Sequence, residues 1–377
     1  MTQYLNVVSF NTPYPTNSFG SIVDVYYQIK SLHEAGVKII LHSFEYADAK
    51  RNETLNQFCE EVYYYKRESN FKTKFSNLPF IVLSRKTNNL LTNLLKNNYP
   101  ILFEGIHTCY YLGHSKLTDR LKLVRAHNIE HFYHKNVSRN TDSLIKKGYM
   151  YLESLRLKNF EHKIKYADYI LPVSTTEAGY FHHRYNDEKI VLIPLFHKNS
   201  RVGITKEYKS YVLFHADFNA PWNKRIALQL IEKVAKKDER IPWIIAGISP
   251  DESLYKAASK VPNVQIKANL NPEELQKLIQ EASINLLITT QSSSVKMKLI
   301  DTLYYSHYCL ANKQMLDGSG LDSLCVRVTL KSNLLLKKIK EYLYKDFPET
   351  EIKERQNVLN RVYNNASNAQ KIIDLLN

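Results

Sequence analysis

From residue 4 onward, short runs of Val, Ile, Leu and aromatic residues alternate with longer stretches whose apolar positions recur every three or four residues. Continuous apolar runs of this length suit strands buried on both faces, and the periodic stretches suit amphipathic helices. The pattern therefore predicts parallel sheets covered by helices. In the first half the expected strands are 4–10 (YLNVVSF), 37–44 (VKIILHSF), 101–105 (ILFEG), 121–128 (LKLVRAHN) and 169–174 (YILPVS). A helix is expected over 21–36, with Gly36 suited to its C-cap, and a long one over 141–166. Periodicity lapses over 191–210, which reads as a linker. The alternation then restarts with strands at 211–218 (YVLFHADF), 241–247 (IPWIIAG), 263–266 (NVQI), 284–290 (INLLITT) and 307–312 (HYCLAN). Helices are expected near 222–237, 251–260 and 296–306, and another starts at Asn271, which supplies an N-cap ahead of Pro272, Glu273 and Glu274. The segment from 350 onward is helical in pattern and is expected to pack back across the first domain. The fold class is thus α/β, with two consecutive Rossmann-like domains at 1–200 and 201–345 and a C-terminal crossover helix at 346–377.

Charge adds a constraint on partners. The 377 residues carry 52 Lys and Arg against 37 Asp and Glu, a formal net charge of +15. The excess divides evenly, with 26 basic and 18 acidic residues up to position 200 and 26 and 19 beyond it. Nucleic-acid binding needs a clustered basic groove or a reading motif, and the sequence offers neither, so no nucleic-acid partner is expected. One local run stands out. Residues 62–98 hold Lys66, Arg67, Lys72, Lys74, Arg85, Lys86 and Lys96 against Glu68, interleaved with Phe71, Phe75 and Phe80. This run suits peripheral contact with an anionic membrane, or else a solvated face with its aromatics in the core.

The chain has only 10 glycines, where average usage of about 7% would give more than twice that. It contains neither GxxxxGK[ST] nor GxGxxG, so a phosphate must be held without a glycine cradle. Cys59, Cys109, Cys309 and Cys325 form no CxxC pair, which argues against zinc and a disulfide framework. The N-terminus lacks a signal-peptide pattern, and no run of about 18 apolar residues occurs. A cytoplasmic location, with peripheral attachment to the inner face of the membrane, is the expectation.

Ligands of open parallel sheets bind beyond the C-terminal strand ends. Those positions hold Glu104 with His107, His127 with Asn128, and the segments 215–223, 247–250 and 289–298. Lys296 and Lys298 open a helix after a buried strand, where free N–H groups and ammonium charge suit a diphosphate. Asp301, one turn on, could accept from a ribose diol. His127 could bond a sugar hydroxyl or stabilise charge at the reacting centre, with a structural role or metal ligation as alternatives. His131 and His134 are expected on the same loop, without an HExxH pattern. Glu104 and His107 suit either a ligand contact or loop tethering.

The segments PYPTNSFGSIVDVYYQIKSLHEAG, LFEGIHTCYYL, RAHNIEHFYH, VLFHADFNAPWN, IIAGISP and VKMKLIDTLYYSHYCLANKQMLDGSGL, in this order and spacing, resemble bacterial family-4 glycosyltransferases, the retaining GT-B group. The likeness runs over nearly the whole chain. It implies two Rossmann-like domains whose parallel sheets face a central cleft, with a nucleotide-diphosphate sugar bound chiefly by the second. A glycan or lipid-linked acceptor would be bound by the first, with Glu104 and His107 on the acceptor side, and no cofactor or metal is implied. Carried over by position, the family's glycine loop falls on Ser18, Phe19 and Gly20, with Phe19 replacing its first glycine. The histidine near the donor sugar matches His127, beside Asn128. The ribose-binding acid matches Asp301, where the family typically has Glu. Its acidic partner matches Ser293, and the glycine beside that matches Ser294. At the family's basic pair stand Asn223, Lys224 and Arg225, for which Lys296 and Lys298 could compensate. The resemblance implies sugar transfer in surface-polysaccharide or glycolipid synthesis. The departures at Phe19 and Ser293 raise an alternative, a catalytically degenerate scaffold binding a partner transferase or a glycan. A nucleotide-sugar epimerase on the same fold is a third.

Overall fold

Residues 3–16, 19–45, 51–68, 76–141, 143–205, 207–291 and 294–377 are described by a computed structural model of the chain. The apolar runs form two six-stranded, wholly parallel sheets. The first contains β1 (Tyr4–Ser9), β2 (Lys38–Glu45), β3 (Glu61–Lys66), β4 (Ile101–Glu104), β5 (Lys122–Ala126) and β6 (Tyr169–Pro172), in the order β3-β2-β1-β4-β5-β6. The second contains β7 (Lys209–Asp217), β8 (Trp243–Ile248), β9 (Val264–Ala268), β10 (Ala282–Leu287), β11 (Tyr308–Asn312) and β12 (Val326–Val328), in the order β12-β11-β10-β7-β8-β9. Each repeats the doubly wound order of a dinucleotide-binding fold. Every residue of β4 and of β10 is buried, including the polar Glu104, Ser283 and Asn285.

Helices cover both sheets. The first is flanked by α1 (Gly20–Glu34), α2 (Phe80–Leu83), α3 (Asn88–Leu94), α4 (Glu130–Arg139), α5 (Leu144–Phe160) and α6 (Thr175–His182). Then follow α7 (Pro221–Lys233), α8 (Glu252–Ala258), α9 (Pro272–Glu281), α10 (Met297–Tyr305), α11 (Lys313–Leu316), α12 (Ser332–Tyr342), α13 (Glu349–Tyr363) and α14 (Asn365–Asp374). The chain divides into two compact units, residues 1–198 with 363–377, and residues 199–362. The C-terminal segment returns to the first unit, where Ala369 and Ile372 of α14 share a core with Val25 and Ile29 of α1. Asn271 closes a capping box with Glu274 at the start of α9. Gly36 takes φ 92° just past α1, a left-handed conformation that favours glycine.

Three local expectations are corrected. Residues 130–139 form α4 rather than a loop, and His131 and His134 sit on its buried face with Glu130 and Ser138. The long helix is shorter than 141–166, since α5 ends at Phe160 and the chain tightens into a 3-10 turn over Glu161–Tyr166. The run 62–98 is not one surface element. It contributes most of β3, then α2 and α3, and its Arg85 is buried, donating to the carbonyls of Phe10 and Ile81 at 2.7 Å each. Phe71 and Phe75 lie outside the described residues, and Phe80 is half-buried at the start of α2. Among the described residues no helix is long and apolar enough to cross a membrane.

Candidate functional site

In the first sheet the strand order reverses between β1 and β4, and it is at such a switch point, beyond the C-terminal strand ends, that open α/β sheets bind ligands. The loops there bring together Phe10, Glu104, His107 and His127. His127 follows β5 and is 4% exposed. Its Nε2 lies 2.7 Å from Glu104 Oε2, and its Nδ1 lies 3.3 Å from Asp24 Oδ2. Burial alone would strip its proton, but the hydrogen bonds and charges of Asp24 and Glu104 outweigh burial and raise its pKa to about 9. The ring is therefore an imidazolium at neutral pH.

Asp24 lies on the buried face of α1 and is itself held on three sides. Arg125 Nη2 reaches both its oxygens at 3.1 Å, Arg125 Nε reaches Oδ2 at 3.2 Å, and the Phe196 amide donates to Oδ1 at 2.6 Å. Burial pushes the Asp24 carboxyl up, yet Arg125, His127 and the Phe196 amide together hold it below its ordinary value. Glu104 Oε1 is enclosed and has no hydrogen-bond partner among the described residues. Two basic and two acidic side chains thus interlock almost out of contact with water.

His107 stands beside this cluster in the opposite state. Burial, then the charges of Arg85 and its neighbours, hold its pKa well below the ordinary imidazole value, and its Nδ1 is enclosed without a partner among the described residues. Phe10 packs on both rings, with centroids 5.1 Å from His107 and 5.6 Å from His127. Gly105, at φ 70°, lets β4 turn into this loop, and a Cβ there would stand 2.8 Å from His107 Nδ1. Asn128 turns elsewhere: its side chain bonds the carboxyl of Glu130, which burial raises above its ordinary pKa. Gly20 is the first residue of α1 and Phe19 its N-cap. No side chain caps that helix start, and Phe19 is 67% exposed. Ser18 lies outside the described residues.

The second unit has its own reversal, between β7 and β10. Lys296 is the N-cap of α10, which no side chain caps, and its ammonium bonds the Ser294 carbonyl. Lys298, in the first turn, reaches back to the His215 carbonyl of β7 at 3.4 Å. Burial, then the neighbouring Lys296 charge, pulls the Lys298 pKa down to about 8. Burial and Lys298 in turn press His215 down to about 3, so that imidazole is neutral. These side chains gather positive charge at an uncapped helix start, an arrangement able to receive an anion. Gln291, just beyond β10, is 5% exposed, and neither atom of its amide finds a partner among the described residues.

Other expected site residues are engaged inside the unit. Asp301 Oδ1 accepts from Asn199 at 2.7 Å, and Asn199 accepts from Tyr305 at 2.9 Å. Asn223 donates to the Asp217 carbonyl at 2.8 Å, and the Lys224 ammonium pairs with Asp251. Ser293 lies outside the described residues. Ser294 takes φ 57°, a left-handed backbone that favours glycine.

The chain is similar to several solved structures over its full length. It covers 100% of itself and 99% of TarM, at a TM-score of 0.71 and 11% identity. Against the sucrose-phosphate synthase of Thermosynechococcus elongatus the values are 99%, 98%, 0.69 and 14%. The chain has the GT-B fold. Anabaena HepE, solved with UDP and glucose, is similar at a TM-score of 0.64 and 13% identity, with 98% of each chain covered. In sequence, the chain is 26% identical to an uncharacterised 44.6 kDa protein in the cps region of Klebsiella pneumoniae, over 83% of itself and 84% of that protein. No protein-family model matches.

Proposed function

We propose that the protein transfers a sugar, with retention, from a nucleotide-diphosphate sugar to a glycan or lipid-linked acceptor in surface-polysaccharide or glycolipid synthesis. The observation that carries this reading is the His127 imidazolium, clamped by Asp24 and Glu104 at the switch point of one sheet of a GT-B chain. Both N–H groups of the imidazolium face carboxylates, so to bond a sugar hydroxyl one of them would exchange its carboxylate for that hydroxyl. Lys296, Lys298 and the helix start they flank would take the diphosphate. As the acceptor oxygen bonds the anomeric carbon, that carbon's bond to the phosphate oxygen breaks, and the leaving diphosphate accepts the acceptor proton. Asp301 would take the ribose by exchanging its bond to Asn199, and Glu104 and His107 would face the acceptor. The ligands named for neighbouring structures, UDP with glucose in HepE and UDP with alpha-GlcNAc-glycerol in an S. aureus TarM mutant, support a nucleotide-sugar donor. The cps-region relative is in keeping with polysaccharide synthesis.

Calorimetric titration with a panel of UDP-, GDP- and ADP-sugars tests the reading. Saturable binding of one donor is expected, and no binding across the panel would refute it. A second reading, a degenerate scaffold, draws on the engagement of Lys224 by Asp251 and on the serine at position 293. Donor binding without turnover, and turnover gained in Ser293→Glu, would favour the scaffold.

A further inference from the structure

In most surface helices the apolar stripe faces inward, but α5 carries a second one outward. Its buried side is Glu153, Ser154, Leu157 and Phe160. Its exposed side runs Leu144, Ile145, Gly148, Tyr151, Leu152 and Leu155, spaced three and four residues apart along one face. Leu144 is 82% exposed and Ile145 88%. Nothing among the described residues covers this stripe, and so many large apolar side chains on one surface mark an interaction site.

The surroundings identify the partner. Between positions 132 and 152 the sequence places Lys135, Arg139, Lys146 and Lys147 against the single acid Asp142. A groove of about 440 Å³ between α4 and α5 is lined by Lys135, Ser138, Arg139, Leu144, Lys147 and Tyr151. Three cations lining the groove, Lys135, Arg139 and Lys147, and an apolar ridge beside it match a phosphate headgroup and its acyl chains. A second copy of the chain is a poor match, because pairing the two ridges would set the same lysines and arginine against each other.

We infer that the α4–α5 hairpin is a docking surface for an anionic lipid bilayer, with Leu144, Ile145, Tyr151, Leu152 and Leu155 entering the interface and Lys135, Arg139 and Lys147 meeting lipid phosphates. This surface lies apart in sequence from the cationic run at 62–98. The inference stands whether or not the protein transfers sugar.

The test is co-sedimentation of the full chain with vesicles of phosphatidylglycerol in phosphatidylcholine and with vesicles of phosphatidylcholine alone. Binding to the anionic vesicles, weakened by salt and absent from the neutral ones, is expected. Leu144→Ser with Ile145→Ser should lower partitioning by about 10-fold or more, since both side chains are exposed and leave the fold intact on circular dichroism. Lys135→Glu with Lys147→Glu should lower it by at least about 25-fold, near 5-fold for each charge removed. No binding to anionic vesicles would overturn the inference, as would binding unchanged in both variants. A dimer in light scattering that both variants dissolve, without vesicle binding by the wild type, would overturn it in favour of self-association.

Discussion

His127 Nε2 lies 2.7 Å from the carboxylate of Glu104, a residue 23 positions earlier in the chain, and both are almost wholly buried. The two sit at the ends of adjacent parallel strands, since β4 pairs directly with β5. Strand register thus makes the contact that fixes the charge of the imidazole.

The first prediction concerns that charge. The His127 pKa of about 9 lies above the ordinary value of 6.5. Its protonation therefore stabilises the fold fully below about pH 6.5, and the contribution is lost as pH rises through 9. Histidine NMR should show one imidazole that stays protonated at pH 8, and in Glu104→Gln that signal should titrate at a clearly lower pH. An unchanged titration in the variant would exclude Glu104 as the cause.

Asp24 carries a second prediction. Removing its charge in Asp24→Asn leaves Arg125 buried with one partner fewer and weakens the hold on the His127 proton. Breaking a buried pair from one side costs about 3–5 kcal/mol. Chemical denaturation should show a loss of this size, and the His127 pKa should fall in the same variant. A loss under about 1 kcal/mol would mean the cluster is not tightly coupled.

Ser294 offers a test of backbone strain. At φ 57° a serine is in a region that glycine enters more readily. Ser294→Gly should stabilise the second unit by up to about 1 kcal/mol, and Ser294→Val should destabilise it by more. Both tryptophans, Trp222 and Trp243, lie in that unit, so urea unfolding followed by tryptophan fluorescence reads the difference.

Lys298 sets the pH dependence expected of the proposed donor binding. Its pKa is pulled from 10.5 to about 8, so the ammonium costs stability below pH 8, and the cost shrinks as pH rises toward 10.5. A bound diphosphate favours the ammonium. Donor affinity should therefore be flat below about pH 8 and fall above it, with proton uptake on binding. Lys298→Ala should weaken binding by about 10- to 100-fold, the worth of one charge-assisted hydrogen bond, and remove this pH dependence.

Much of this architecture was legible because buried parallel strands announce themselves as apolar runs; β1, β2, β4, β7 and β10 are of this kind. Strand β3 was hidden because its tyrosines lie inside a cationic segment that reads as a surface, and β12 has only three residues. Helix α4 was hidden for another reason. Its buried face is Glu130, His131, His134 and Ser138, so hydrophobic periodicity has nothing to register. Asp24 was missed although a signal existed, since it falls among Ile22, Val23, Val25 and Tyr26 on the buried face of α1, where a lone carboxylate must find a partner. That partner, Arg125, is 101 positions away and comes near only through the sheet. The engagement of Asp301 by Asn199 is equally a product of folding, which residue types at strand ends do not reveal.

Release of nucleoside diphosphate from a nucleotide sugar measures the proposed sugar transfer most directly. With the donor that binds in calorimetry and an extract of bacterial lipid-linked glycans as acceptor, the wild type should release nucleoside diphosphate and label the glycan. His127→Ala should lower that rate by about 100-fold, the scale of one lost electrostatic donor. Donor binding with no release of nucleoside diphosphate, with or without acceptor, would contradict the account.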